Sequence, residues 1–143
     1  MSLQHSEVIR LDLPARYAYL RLLSETIAEM LRQIGVHNET LVYNVQLAAH
    51  EVCTNIVSHA YRHWRDGEGR IRITLTLHSQ PPRLEIDLYD TGETFEPESV
   101  PQPDLNEAQI HGYGLFLIRH LMDRVSYTSR TDGNHWHLMK HLA

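Results

Sequence analysis

His50-Glu51-Val52-Cys53-Thr54-Asn55-Ile56-Val57-Ser58-His59-Ala60-Tyr61 is the stretch on which the fold turns. Leu41, Val45, Ala48, Val52 and Ile56 follow one another at steps of three and four, the spacing of an amphipathic helix. Asn38 stands where an N-cap is needed, and Glu39 adds a favourable charge to the first turn, so the helix is expected from about Asn38 to Tyr61. Glu51, Asn55 and His59 are spaced four apart and therefore share one face of it. A carboxylate, an amide and an imidazole in a row are, taken alone, most often a solvated stripe. They acquire a chemical meaning only if other parts of the chain supply partners.

Working outward from this helix, Val8, Ile9, Leu11 and Leu13 alternate with Arg10 and Asp12 in a short strand that Pro14 ends. Tyr19, Leu20, Leu23, Ile27, Met30, Leu31 and Ile34 form a second apolar helical stripe over Ala15 to Ile34, with Gly35 as its C-terminal cap. Downstream, Ile71, Ile73, Leu75 and Leu77 alternate, as do Leu84, Ile86 and Leu88. With Gln80-Pro81-Pro82 between them they predict an antiparallel hairpin. Thr91 to His111 has three prolines and no periodicity, a long loop of the kind that compact domains keep for function. Helical spacing resumes from Gly112 to Met122, and two strands follow over Val125 to Ser129 and His135 to Leu142, around Asp132-Gly133-Asn134. Helices and strands are grouped rather than alternating. The expected architecture is an α/β two-layer sandwich, with helices on one face of a mixed, largely antiparallel sheet.

Composition narrows the function classes. The chain has 143 residues, 42% of them hydrophobic and 22% charged, which suits one domain over residues 1–143 with a core of its own. A net charge of −5 disfavours direct nucleic-acid binding and anchoring on anionic lipid. There is one cysteine, Cys53, and no apolar run long enough to span a membrane, so a cytoplasmic location is expected. Eleven histidines invite a metal reading. However, His50-Glu51 is followed by Thr54 where a zinc-protease helix needs its second histidine, and no third ligand is predictable for His59 with His63 or His135 with His137.

Two further signals join the helix face. Leu88-Tyr89-Asp90-Thr91-Gly92 ends an apolar strand in a carboxylate, which can accept from an exocyclic amine, and then a glycine that allows close approach of a flat ligand. His111-Gly112-Tyr113-Gly114-Leu115 leads into a helix, where exposed backbone N–H groups and the helix dipole attract phosphate. Each signal is weak singly, but their order is not.

Glu51 to Tyr61, Asp90 to Phe95 and Gly112 to Asp123 together resemble the ATP-binding domain shared by gyrase, Hsp90, histidine kinases and MutL. Within that superfamily they look most like the anti-sigma regulatory factors, the serine/threonine kinases of bacterial partner-switching systems. The resemblance covers nearly the whole chain and implies the histidine-kinase-like ATPase fold, with ATP and Mg2+ as cofactors. It implies that Asn55 coordinates magnesium and that Glu51 is the general base. Asp90 would bind the adenine amino group with Gly92 giving the base room, while Gly112, Tyr113, Gly114 and Leu115, with His111 beside them, would wrap the phosphates. His59 would lie near the phosphates, and residues 91–111 would form the lid. The implied partners are an anti-sigma-factor antagonist of the STAS type as substrate, a sigma factor or another regulator as target, and a second copy in a homodimer.

Two departures from the pattern stand out. Between Arg83 and Arg119 there is no Lys or Arg, whereas Glu85, Asp87, Asp90, Glu93, Glu96, Glu98, Asp104 and Glu107 all fall there. Phosphoryl transfer usually leans on cations, and His111 is the local candidate. Where relatives often carry a small hydroxyl residue after the turn glycine of the last hairpin, this chain has Asn134. The alternative function is therefore a non-catalytic, nucleotide-binding or partner-sequestering module, with the stripe of Tyr17, Tyr19, Leu20 and Leu23 as its interface.

Overall fold

Alternation in the sequence becomes a five-stranded sheet in the order β1-β2-β3-β5-β4. The computed structural model describes residues 6–95 and 113–143, the side chain of Tyr113 excepted. The strands are β1 (Ser6–Pro14), β2 (Arg70–Ser79), β3 (Pro82–Asp90), β4 (Arg124–Arg130) and β5 (Gly133–His141). Every pairing among them is antiparallel, so the sheet expected to be mixed has one sense of pairing among the described residues. The physical reason is connectivity: β2–β3 and β4–β5 are joined by tight turns, which only antiparallel neighbours permit.

Among the described residues three α-helices cover one face: α1 (Leu20–Gln33), α2 (Glu39–Asn55) and α3 (Tyr113–Leu121). Leu20, Leu23, Ile27, Met30 and Leu31 of α1 and Val45, Ala48, Ala49, Val52 and Cys53 of α2 are buried. They pack over Ile71, Ile73, Leu75, Leu84, Ile86, Leu88, Trp136 and Leu138 of the sheet. A short 3-10 turn, Tyr17–Tyr19, precedes α1, where the sequence suggested continuous helix from Ala15. Gly35 ends α1 at φ +81°, with Val36 N–H donating to the Leu31 carbonyl at 3.0 Å and Gly35 N–H to that of Arg32 at 3.1 Å. That double bond pattern satisfies the last carbonyls and needs a residue at ease in the left-handed region. The Asn38 side chain accepts from Leu41 N–H at 3.1 Å, the expected N-cap.

The principal departure from the sequence expectation lies in α2. Its α-helical turns stop at Asn55, and Ile56–Ala60 form a π turn before Tyr61. One wide turn there shifts the register of everything beyond Asn55, and such turns recur at functional sites. Cys53 is wholly buried, and desolvation pushes its thiol up to about 12, so it behaves as a small apolar side chain with no thiolate chemistry. No helix among the described residues is long and apolar enough to cross a membrane.

Candidate functional site

Two pieces of the sequence pattern meet the helix that carries the first: Gly92, just past β3, packs on Ala60 of the π turn, and Gly114 of α3 packs on Glu51 and Asn55 of α2. β3 delivers Asp90 to its last position, on the helix-facing side of the sheet, 4% exposed. Asp90 Oδ1 accepts from Gly92 N–H at 3.0 Å and from Asn134 Nδ2 at 2.7 Å. Burial raises its pKa, and the bonds from Asn134 and Gly92 oppose that shift. Because the native pKa lies above that of the unfolded chain, the folded state holds this proton more tightly. Asp90 therefore subtracts stability as pH rises from the ordinary carboxylate range through the raised value, and adds none of that cost below it. Asp90→Asn is expected to abolish recognition of an amine on the ligand. The variant should also melt above the parent at pH 8, with the gap closing as pH falls. Thermal melts at several pH values check this, and a constant gap would show that the carboxylate is not the source.

Gly92 is required by distance rather than by φ. A Cβ there would lie 2.1 Å from the Ala60 carbonyl oxygen. The next residue, Glu93, donates its N–H to that same oxygen at 2.7 Å, so the segment after β3 is pinned to the π turn of α2. Gly133 has φ +144°, and a Cβ would meet the Asp90 carbonyl oxygen at 2.6 Å, which lets the β4–β5 turn close over the end of β3.

Gly114 joins the helices. A Cβ on it would stand 2.8 Å from Glu51 Oε2, 3.8 Å from Asn55 Oδ1 and 3.9 Å from Asn55 Nδ2. The first turn of α3 thus lies directly over the face that carries Glu51 and Asn55, and both residues are half-buried. Leu115 is buried and anchors that turn in the core, so its side chain serves packing while its backbone stands at the helix start. Tyr113 opens α3. His111, Gly112 and the lid beyond Phe95 lie outside the described residues.

His59 lines the same cleft with Asn55, Ile56, Ala60, Asp90, Glu93, Phe95, Tyr127 and Trp136. The Phe95 ring lies 5.8 Å from Trp136, 6.1 Å from Tyr127 and 6.2 Å from His59, and its N–H donates to Tyr127 Oη at 2.8 Å. With Phe95 so placed, the cleft has a volume of about 10 Å³, room for roughly one water. A flat base needs the Phe95 side chain to swing aside. Trp136, Tyr127 and Phe95 were not singled out as site residues from the sequence. Alternation marked Trp136 and Tyr127 for the strands, and only the sheet order brings them beside Asp90.

None of the described residues lining the cleft is Lys or Arg. Arg62 bonds the cleft-lining Glu93 at 2.9 Å with both side chains exposed, so its guanidinium is already paired with a carboxylate. Arg119 sits exposed in the last turn of α3. A larger hollow of about 720 Å³ lies on the opposite, open face of the sheet, between residues such as Arg10, Arg72, Tyr89, Arg130 and His135. It touches neither Glu51 nor Asn55, but Asp90, Thr91, Gly133 and Asn134 also line it, so the end of β3 borders both this hollow and the cleft. Among the described residues no cluster of three or more His, Cys, Asp or Glu is arranged to hold a metal on its own.

Comparison with known proteins points to the same fold. The family described as histidine kinase-like ATPase domain matches residues 13–140. Serine-protein kinase RsbW of Listeria innocua is 32% identical over 133 residues, covering 87% of this chain and 81% of that protein. The RsbW of Halalkalibacterium halodurans is 30% identical over 136 residues, covering 87% of this chain and 78% of the other. A crystal structure of the RsbU and RsbW domains of a Mycobacterium tuberculosis protein superposes with a TM-score of 0.69 at 18% identity, over 95% of this chain and 32% of that one. The histidine kinase domain of a blue-light activated kinase from Erythrobacter litoralis gives 0.54 at 17% identity, over 90% of this chain and 61% of that one. These two likenesses establish the fold, and the chain spans about a third and three fifths of those solved chains. From the matched residues, the shared fold and the RsbW relatives, the chain belongs to the histidine kinase-like ATPase domain family, among the RsbW-type serine-protein kinases.

Proposed function

We propose that this chain is a Mg-ATP-dependent serine/threonine protein kinase of the partner-switching type. It binds a target regulator such as a sigma factor and phosphorylates an antagonist of that regulator, a STAS-type protein. The observation that carries the proposal is the seat of Gly114 against Glu51 and Asn55, which places a helix N-terminus over a carboxylate and an amide oxygen, with an amine-reading carboxylate at the far end of the cleft.

The residues present suit a phosphate-bound cation. Asn55 offers a hard oxygen donor, and the space beside it stays open because residue 114 has no side chain. When bound, magnesium would neutralise charge on the phosphates, and Asn55 is the residue that would hold it. The backbone N–H groups at the start of α3 face the phosphate end, and the helix dipole adds to their attraction. Glu51 has no side-chain partner among the described residues and sits where it can take the proton of a serine or threonine hydroxyl. The hydroxyl oxygen then bonds the terminal phosphorus as the bond to the bridging oxygen breaks, and ADP leaves. Phosphorylation adds about −1.5 to −2 charge to the antagonist, which drives it from the acidic stretch that carries Glu96, Glu98, Asp104 and Glu107.

Calorimetry with ATP, with and without magnesium, tests the site. Asn55→Ala is expected to remove the magnesium dependence and to weaken Mg-ATP binding roughly tenfold or more, about 1.4 kcal/mol. Equal affinities with and without the ion in both proteins would overturn the role of Asn55. The absence of Lys and Arg among the described residues of the cleft wall favours a second reading, a switch module that binds partners with little phosphotransfer. Tyr17, Tyr19, Leu22 and Tyr43 are exposed and would serve that role, whereas Leu20 and Leu23 of the same stripe are spent on the core. Transfer of labelled phosphate to STAS-type proteins decides between the two.

A further inference from the structure

The carboxylate that reads the base is not free to turn. Asn134, 3% exposed, places its Nδ2 on three acceptors: Asp90 Oδ1 at 2.7 Å, the Gly92 carbonyl at 3.1 Å and the Glu93 carbonyl at 3.2 Å. Its Oδ1 accepts from Ser129 Oγ at 2.9 Å and from Thr94 Oγ1 at 3.4 Å. Turning the amide over would set its oxygen against three acceptors, so this network fixes its orientation. Asp90 Oδ1 thus receives two donors, from Asn134 and Gly92. Among the described residues Oδ2 receives none.

Resting on the nucleotide site described above, we infer that Asn134 is a positioning residue that sets base specificity, making Asp90 a one-oxygen reader that accepts adenine and rejects guanine. The chemistry is in the edges of the two bases. Adenine offers one exocyclic amine at C6, and a single carboxylate oxygen suffices for it. Guanine offers an oxygen at that position and presents its donors, a ring N–H and an exocyclic amine, side by side. A carboxylate grips that pair only with both oxygens at once, as it grips a guanidinium. With Oδ1 already held by two donors, the paired grip is closed to guanine, and one of its donors would be buried without a partner. The same amide also bonds the Gly92 and Glu93 carbonyls, so it ties Asp90 to the segment that follows β3.

The test measures ADP and GDP affinities by calorimetry, with magnesium, for the parent, Asn134→Ala and Asn134→Asp, alongside thermal melts. The parent is expected to prefer ADP by roughly a hundredfold, and Asn134→Ala to narrow that preference about tenfold by removing one of the two donors on Oδ1 and leaving that oxygen an open acceptor site. A merely structural role would lower both affinities together and leave the ratio unchanged. Asn134→Asp supplies a pH readout. Two carboxyls in contact share one proton, and the protonated partner can donate to Asp90 as the amide does. ADP binding by this variant should therefore strengthen as pH falls from 8 to 6, the reverse of the loss expected where Asp90 itself takes up a proton. Ser129→Ala, at an exposed position, removes one donor to the amide and should shift the ADP to GDP ratio in the same direction even if Asn134→Ala does not fold. An unchanged ratio in folded Asn134→Ala or in Ser129→Ala, or parallel pH profiles for the parent and Asn134→Asp, would overturn the inference. A parent that binds neither nucleotide would instead overturn the nucleotide site itself, and this inference with it.

Discussion

Glu51→Gln is expected to lower phosphotransfer to the antagonist by roughly 10²–10⁴-fold while leaving ATP affinity within about a factor of three. The two effects separate because of where Glu51 sits. Its Oε2 lies against the Cβ-less face of Gly114, where the proposed function puts the phosphates, and Glu51 does not line the part of the cleft that holds Asp90, the proposed base reader. Glutamine has the same shape, so the first turn of α3 keeps its seat, and only the ability to take a proton is lost. Single-turnover transfer of labelled phosphate gives the rate, and calorimetry gives the affinity. Wild-type transfer by Glu51→Gln would dismiss Glu51 as the general base. A parallel loss of rate and affinity would recast it as part of the α2–α3 seat.

Gly92→Ala is expected to have the largest effect on structure. Its Cβ would fall 2.1 Å from the Ala60 carbonyl oxygen and 2.8 Å from the Ala60 Cβ, neither of which is the end of a flexible side chain. The segment after β3 must retreat from the π turn. It then loses the 2.7 Å bond from Glu93 N–H to Ala60 and the 3.0 Å bond from Gly92 N–H to Asp90. Overpacking of this kind costs about 1–3 kcal/mol, and backbone against backbone belongs at the upper end. The melting temperature should drop by roughly 5–10 °C for a chain of this size, and nucleotide affinity should fall more than tenfold because Asp90 loses its support. A normal melt with unchanged ADP affinity would show that the approach of Gly92 to Ala60 is not required in solution.

Asn134 marks the limit of what a linear reading can weigh. Its position after Gly133 showed that one wall of the base slot was unusual. Its meaning depends on five polar atoms drawn from β3, the segment after it, and β4, none of them from a residue adjacent to Asn134 in sequence. Phe95 is similar. The motif placed it after the Asp90-x-Gly92 turn, but its position among Trp136, Tyr127 and His59 follows from β5 lying between β3 and β4. The π turn at Ile56–Ala60 was likewise invisible, because apolar spacing near four residues suits α and π turns alike.

By itself the sequence determined the elements and the chemistry they carry. Period-two alternation specified the strands, steps of three and four specified α1 and α2, and fixed spacings put Glu51 and Asn55 on one helical face, because these are local properties of the backbone. The tertiary structure alone decided which distant groups share a space: Gly114 over Glu51, Gly92 on Ala60, Asn134 on Asp90. Those contacts follow from strand order and helix packing, which arise from burying the whole apolar surface at once, and no local spacing encodes them.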